Sequence, residues 1–575
     1  MTAKPPWQRL SRLAYASSWL ARVVGVMAAT LLLATFGTTH AQPSQQQAIA
    51  EKNPYGVLAS LGAGISVSSD GSGGKRIEIG ITPETYAGHP DRLVNAIASL
   101  RDPFSIIFYS GVSLDDNACH KLASLANVVG MALPETGLTT NGLPTLAGSP
   151  HLRDLALCDR NLTALDLGAL GSFPKLHRLQ LDRAVLSDAN WVSLAKAGSL
   201  EELSCQGVAL TPQAWKAIQG LPRLKSIVLG GKRVTATDIE ALSEIAGLEK
   251  VAILDTRLTA ESLRPLARLA HCKSIDLSDT AFDRYSLRVL ADVAGLRELA
   301  WRGSQVRGRD LSALGRLGNL TKLDLGYSTL DDEGVRDIAT FRQLRALNIR
   351  GCESVSDDGL VALAGGSTGL QELVVSGPKL TERGIDAVSR MRNLRTLRAY
   401  GIAISSDSLA RFQDSGNLEE LMLSFPKQEQ SSERAKSIMA AIGGIVSLRR
   451  LQLHGLPQSV ETLAAMKRLV LLEALFIGNS QLDDKVIQSL TALPALRELD
   501  ISGSPRVSDD SIDMLSQFPR LELVFVMGCG CSGEGMSRLH RRLVVRQEPV
   551  GTVKLPWQIE GTFELQGDEL VPVIE

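Results

Sequence analysis

Three groups of residues in this 575-residue chain have types and spacings that could do chemistry. Cys529-Gly-Cys531 with His540 offers soft ligands for a metal, or a redox pair. A structural zinc site takes four ligands, and this group supplies three. Gly71-Ser-Gly-Gly74-Lys75 has the look of a phosphate-cradling loop, but Arg76 stands where such a loop needs Ser or Thr, and the spacing is wrong. The paired carboxylates Asp331-Asp332, Asp357-Asp358 and Asp509-Asp510 could serve acid–base or calcium chemistry. Each pair sits in a turn before a helical run, where an acid favours the positive end of the helix. No H-E-x-x-H, G-x-S-x-G or dinucleotide glycine pattern occurs. The expectation is a chain with no catalytic residues, no cofactor and no metal: not an enzyme.

The elements that must carry these residues are set by a repeat. The hexad L-x-x-L-x-L, as in Leu320-Thr-Lys-Leu323-Asp-Leu325, recurs from Phe104, Val128, Leu152 and Leu176 onward to Leu472, Leu496 and Leu521, 18 times in all. From Phe104 to Leu344 every step is 24 residues. With the first Leu of each hexad counted as position 0, further apolar residues fall at 10, 15, 18 and 21, as in Leu330, Val335, Ile338 and Phe341. Steps of three mark one face of a helix. Position 11 is often a capping type: Ser187, Thr211, Thr235, Thr259, Asp331, Thr381. Pro212 follows Thr211 at a first helical position, where its missing N–H costs nothing. Each unit therefore reads as strand, turn, helix, turn.

With these residues in view, the chain resembles the leucine-rich-repeat proteins, of the kind with helices on the convex side. The segment Leu347 to Leu360 resembles the cysteine-containing class, although only Cys352 and Cys529 keep the cysteine of that class at position 8. The chain is more similar to the 24-residue bacterial variants. The resemblance covers residues 104–546. It implies an α/β solenoid, or horseshoe, of about 18 repeats, with a parallel sheet on the concave face, helices on the convex face, and a role in protein recognition.

Around the repeats, Lys4, Arg9, Arg12 and Arg22 precede an apolar run from Val23 to Phe36 and then Thr39-His40-Ala41. That is the pattern of a cleaved secretory signal peptide at 1–41, implying a secreted or periplasmic protein. An uncleaved anchor is the alternative, although 14 uncharged residues fall short of the roughly 20 that a spanning helix needs. A flexible linker at 42–60 and an N-terminal cap at 61–103, a hairpin (Gly64–Val67, Arg76–Ile79) followed by a helix, come before the repeats. A C-terminal cap or tail occupies 547–575. The seven cysteines are odd in number and scattered, which excludes a disulfide framework.

With 61 basic and 62 acidic residues, the net charge of −1 gives no field to draw nucleic acid or anionic membrane. Aromatic residues, 4% of the chain, are too scarce for the stacked ladders of a polysaccharide binder. Side chains alternate across a strand, so positions 2, 4 and 6 line the concave sheet. That face reads polar in the middle (Arg178, Gln180, Asp182, Asp324, Asn348, Arg350). Toward the C-terminus it turns aromatic and Met-rich: Arg398, Tyr400, Met422, His454, Phe476, Asp500, Leu523, Phe525 and Met527. Such side chains on an exposed sheet suit an interface. The expectation is a monomeric scaffold of the bacterial envelope or exterior. It docks a protein or peptide on Arg398, Tyr400, Met422, His454, Phe476, Asp500 and Phe525, beside the inserted stretch 425–432. The alternatives are an inhibitor or regulator of a secreted enzyme, or an envelope protein binding polysaccharide; for Phe525 and Met527 alone, the alternative to an open interface is that the C-terminal cap folds over them.

Overall fold

The computed structural model describes residues 61–546 apart from short gaps at 70–74, 134–137, 159–160, 281–284, 307, 368, 427–430, 481, 527, 533–534, 536–537 and 540–543. It also describes residues 54, 57 and 58 and a separate antiparallel pair, Phe563–Gln566 with Glu569–Pro572. The leader at 1–41, Met527, His540 and most of the linker and tail lie outside the described residues. The chain divides into two compact units, Met1–Asp276 and Leu277–Val553 in their main parts, and each is described by itself.

In the first unit, Gly64–Ser69 and Lys75–Ile81 pair antiparallel where the sequence places a hairpin, and Lys75–Ile81 then pairs parallel with Phe104–Phe108. Each following strand pairs parallel with the next, through to Ser274–Asp276. The first step departs from the beat. Phe104 pairs with Val128 but Ser105 pairs with Gly130, so Ile106 and not Ile107 aligns with the inward Met131. Gly130 permits the close approach, because a Cβ there would lie 2.5 Å from Ser105 Oγ. The hairpin covers this strand, and all five of its residues are buried.

The second unit continues the pattern from Glu298–Ala300 to Leu523–Phe525, every described pairing parallel and between consecutive strands. A further strand, Val544–Arg546, pairs parallel with Leu523–Phe525. The sequence hides it because Arg541-Arg542-Leu543 replaces the leucine spacing. The inward residues Leu323, Leu347, Leu373, Leu397, Leu421, Leu451, Leu475 and Leu499 are all fully buried. Removing one such side chain from water is worth roughly 1.5–3 kcal/mol, so this column contributes substantially to the stability of the unit.

Ser187, Thr211, Thr235, Thr259, Asp331 and Thr381 are each an N-cap, and Pro212 opens its helix. The helical side is not uniformly α. Leu167–Ser172 and Gly308–Arg316 are 3-10 helices, and Ala260–Leu263 and Val460–Leu463 run directly into 3-10 turns. The 3-10 form rises about 2.0 Å per residue against about 1.5 Å, so fewer residues span a repeat. Among the described residues no helix is long and apolar enough to cross a membrane.

Position 7, just past each strand, adopts a left-handed backbone in almost every repeat. In the second unit Gly303, Gly351, Gly401, Gly455, Gly503 and Gly528 do so, as do Asp279, Tyr327 and Asn479. Asp and Asn tolerate this region, whereas an aromatic residue there is strained by about 1 kcal/mol or more. The side chain at position 7 lies over the next repeat's position 7. A Cβ on Gly351 would meet the Tyr327 ring at 2.5 Å, and one on Gly303 would meet Asp279 Oδ1 at 2.5 Å.

Candidate functional site

All seven residues expected at the interface lie on the helix-free face of the second unit. The register places Arg398, Met422, Gln452, Phe476, Asp500 and Phe525 side by side in one row. Tyr400, Ser424 and His454 form the row beside it. The structure thus brings the expected residues together, but it does not leave most of them exposed. Arg398, Met422, Phe476, Asp500 and Phe525 are all at least nine-tenths buried, which corrects the expectation of a free aromatic patch. Neighbouring strands are only about 4.8 Å apart, so large side chains in one row bury each other.

Phe476 and Phe525 flank Asp500 with ring centroids 6.1 Å apart, packed with Ala474 and Leu523. The Arg450 guanidinium lies 5.5 Å over the Phe476 ring and reaches Glu498 at 3.3 Å, past Ala474 between them. On its other edge the Phe525 strand pairs with Val544–Arg546. Asp500 accepts the Ser502 N–H at 2.9 Å, and burial pushes its carboxyl up to about 6. Arg398 forks onto Glu420 Oε1 at 2.7 and 2.9 Å. His454 is hydrogen-bonded to Gln452, and burial lowers its imidazole to about 4, so it is neutral at pH 7.

The accessible part of the face is therefore its two margins. Glu372, Glu420, Arg450, Glu498 and Leu523 are half-buried along position 2, and Arg350, Ser376, Tyr400, Ser424 and His454 along position 6. The Arg350 guanidinium lies 4.5 Å from the Tyr400 ring centroid and 5.8 Å from that of Tyr327, a residue 46% exposed. Tyr327 is absent from the sequence-derived set. Its signal is the glycine that recurs at position 7 in neighbouring repeats and fails there.

The cysteines and the paired acids resolve into structure, while Gly71 to Gly74 and His540 lie outside the described residues. Cys529 Sγ donates to the Ile501 carbonyl at 3.3 Å and Cys531 Sγ to the Val507 carbonyl at 3.7 Å. Burial first, then neighbouring negative charge, pushes these thiols up to about 12 and about 11. Neither is poised as a thiolate ligand or nucleophile. The paired acids cap and clamp. Asp331 accepts the Gly334 N–H at 3.0 Å, capping its own helix. Asp332 accepts Ser356 N–H and O–H at 2.7 and 2.6 Å, and Asp357 accepts those of Thr381 at 2.8 and 2.6 Å. Asp484 does the same to Ser508. Asp332, Asp357 and Asp484 thus each hold the cap of the next repeat, a role beyond the helix-dipole effect read from sequence. Among the described residues no group of three or more His, Cys, Asp or Glu could hold a metal ion.

The in-step parallel strands with their buried leucine column, alternating with helical segments that are mostly capped, decide the architecture. The fold is a leucine-rich-repeat solenoid. Residues 319–339 and 342–364 match the family described as Leucine Rich repeat. No curated protein matches the sequence. Among solved structures, the leucine-rich-repeat chain is similar to an internalin of Listeria monocytogenes, with 19% identity over 57% of this chain and 87% of that one, at a TM-score of 0.38. It is similar to the protein of a TLR13–ssRNA13 complex, with 15% identity over 77% and 69% of the two chains and a TM-score of 0.39. A leucine-rich-repeat protein of Leptospira interrogans matches with 15% identity over 75% of this chain and 98% of that one, at a TM-score of 0.32.

Proposed function

We propose that this protein is a non-catalytic scaffold that holds a protein or peptide partner on the helix-free face of its second unit, and that it is exported to the cell envelope or exterior. The observation that carries the reading is the face itself. Its buried row is packed and rigid, while its margins present Glu372, Glu420, Arg450, Glu498, Tyr400 and His454, half-buried in fixed register. Preorganised polar and aromatic groups around a desolvated centre are what recognition of a polypeptide needs. The acidic and thiol groups that could have supplied catalysis are engaged in caps, clamps and backbone contacts. The basic leader and apolar run at 1–41 support export.

A photo-crosslinking amino acid at Ser424 or His454, against one at Glu382 on the helical side, tests the scaffold reading in cells. Adducts are expected from the sheet positions only. Adducts from Glu382 alone would overturn the assignment of the face. Edman sequencing of the mature chain tests export, with Gln42 expected as the first residue.

A further inference from the structure

We infer that Asn161 is an acceptor for an N-linked glycan, added as the chain is exported; the setting, though not the chemistry, rests on the export reading above. The triplet Asn161-Leu162-Thr163 has the Asn-x-Ser/Thr form that oligosaccharyltransferases modify on exported chains, and Asn319-Leu320-Thr321 has it too. So short a triplet also arises by chance. The geometry of each one decides.

At the first, Leu162 is fully buried, while Asn161 and Thr163 on either side of it are exposed. Asn161 Oδ1 accepts both the Thr163 N–H at 3.0 Å and the Thr163 hydroxyl at 2.7 Å. The two side chains bond only to this dipeptide step and neither caps a helix, so Asn161 Nδ2 has no hydrogen-bond partner among the described residues. The backbone already holds the turn, through a parallel bridge from Asn161 to Val185 and a bond from Leu162 N–H to the Val185 carbonyl at 2.9 Å. The same repeat position is Val185, Ala209, Arg233 and Arg257 further along the unit, so packing does not call for an asparagine there. At the second triplet both groups are spent. Asn319 Nδ2 donates to the Ala294 carbonyl at 3.5 Å, and Asn127 and Asn417, at the same position of other repeats, donate likewise to Leu100 and Arg392 at 2.9 Å. The Thr321 hydroxyl donates to the Arg297 carbonyl at 3.1 Å. That asparagine belongs to the turn between repeats.

In the transfer, Asn161 Nδ2 bonds to the anomeric carbon of a polyprenyl-diphosphate-linked oligosaccharide. The bond from that carbon to the diphosphate oxygen breaks with its electron pair, polyprenyl diphosphate leaves, and Nδ2 gives up one proton to a base of the transferase. Two donors on the amide oxygen draw density from the nitrogen and make that proton more acidic. The bridge partner Val185, at 56% the most exposed large apolar side chain among the described residues, offers the first sugar an apolar floor. Asp159, two residues ahead, adds a charge that a transferase can read, where the second triplet has Leu317.

The test incubates the folded full-length protein with an oligosaccharyltransferase and its polyprenyl-diphosphate-linked oligosaccharide, then reads intact mass and tryptic peptides by mass spectrometry. The mass of one glycan is expected on peptide 161–175 and not on peptide 317–322. Thr163→Ser is expected to keep the transfer and Thr163→Val to lose most of it, with circular dichroism native in both. No transfer to the folded protein under conditions that modify a short peptide carrying the same triplet would overturn the acceptor. So would transfer to Asn319 as readily as to Asn161, or transfer unmoved by Thr163→Val. The assay needs no export. Transfer combined with Met1 as the first residue in Edman sequencing would therefore remove the export reading and leave the acceptor chemistry standing, whereas cleavage before Gln42 without transfer would remove the acceptor alone.

Discussion

Gly351 is held by two constraints at once: φ 71°, and the Tyr327 ring where its Cβ would be. Gly351→Ala is expected to destabilise the second unit by about 1–3 kcal/mol, the sum of left-handed strain and a displaced ring. In a Tyr327→Gly background only the strain, about 1 kcal/mol, remains. Urea midpoints of the four proteins of this cycle check it, and equal losses in both backgrounds would clear the ring of blame. Two titrating groups of this face, the buried Asp500 and the half-buried His454, give a second prediction. Asp500 has a folded pKa of about 6, above its unfolded value near 3.9, so its burial penalty is absent below pH 4 and grows as pH rises through 6. His454 has a folded pKa of about 4, below its unfolded value near 6.5, so stability is lost as pH falls from 6.5 through 4. The two slopes oppose each other. Asp500→Asn is expected to stabilise at pH 7, by an amount on the order of 2–3 kcal/mol, and to expose a loss of stability on acidification. His454→Gln should expose the reverse slope. Melting temperatures from pH 4 to 7 decide, and unchanged slopes would mean that neither group is shifted from its unfolded value.

Between elements, Asp332, Asp357 and Asp484 at helix starts act across the repeat boundary. Asp357→Ala would leave the Thr381 and Gly384 amides without the acceptor that now lies 2.8 and 3.1 Å away. A cost of about 1–3 kcal/mol follows, read as faster hydrogen exchange at those two amides. The Ser508 and Ser511 hydrogen bonds hold Asp484 below the usual carboxylate range despite the opposing effect of its burial. Its clamp therefore persists above that range and is lost as pH falls through the lowered folded pKa. A second device is a charge ladder at position 1, where Arg395–Glu419, Arg449–Glu473 and Arg497–Glu522 pair across successive strands. Exposed pairs like these are each worth about 0–1 kcal/mol, so they set register more than stability. Strands, caps and Pro212 were legible in the sequence because leucine spacing and capping chemistry act within a few residues. The clamps were not, because donor and acceptor lie one whole repeat apart. Val544–Arg546 was hidden because Arg542 stands where the hexad has its first leucine.

Over the whole chain, stability is laid down repeat by repeat, since described strands of the solenoid pair only with their neighbours in sequence. Leu421→Ala is expected to cost about 2–5 kcal/mol. Its effect on hydrogen exchange should be largest in Thr396–Tyr400 and Arg450–His454 and small in Lys322–Asp324. Uniform loss across the unit would indicate one cooperative core. Which residues share the open face was legible, because parity along a strand is geometric. Their burial was not, because it depends on the lateral packing of Phe476, Asp500 and Phe525 from three different repeats. The column at position 7 also limits how this gene can grow. A tandem copy of the Tyr327 repeat alone would set one tyrosine where the ring before it demands a bare Cα. A copy that includes Gly351 with it would not, so lengthening at this point is permitted two repeats at a time.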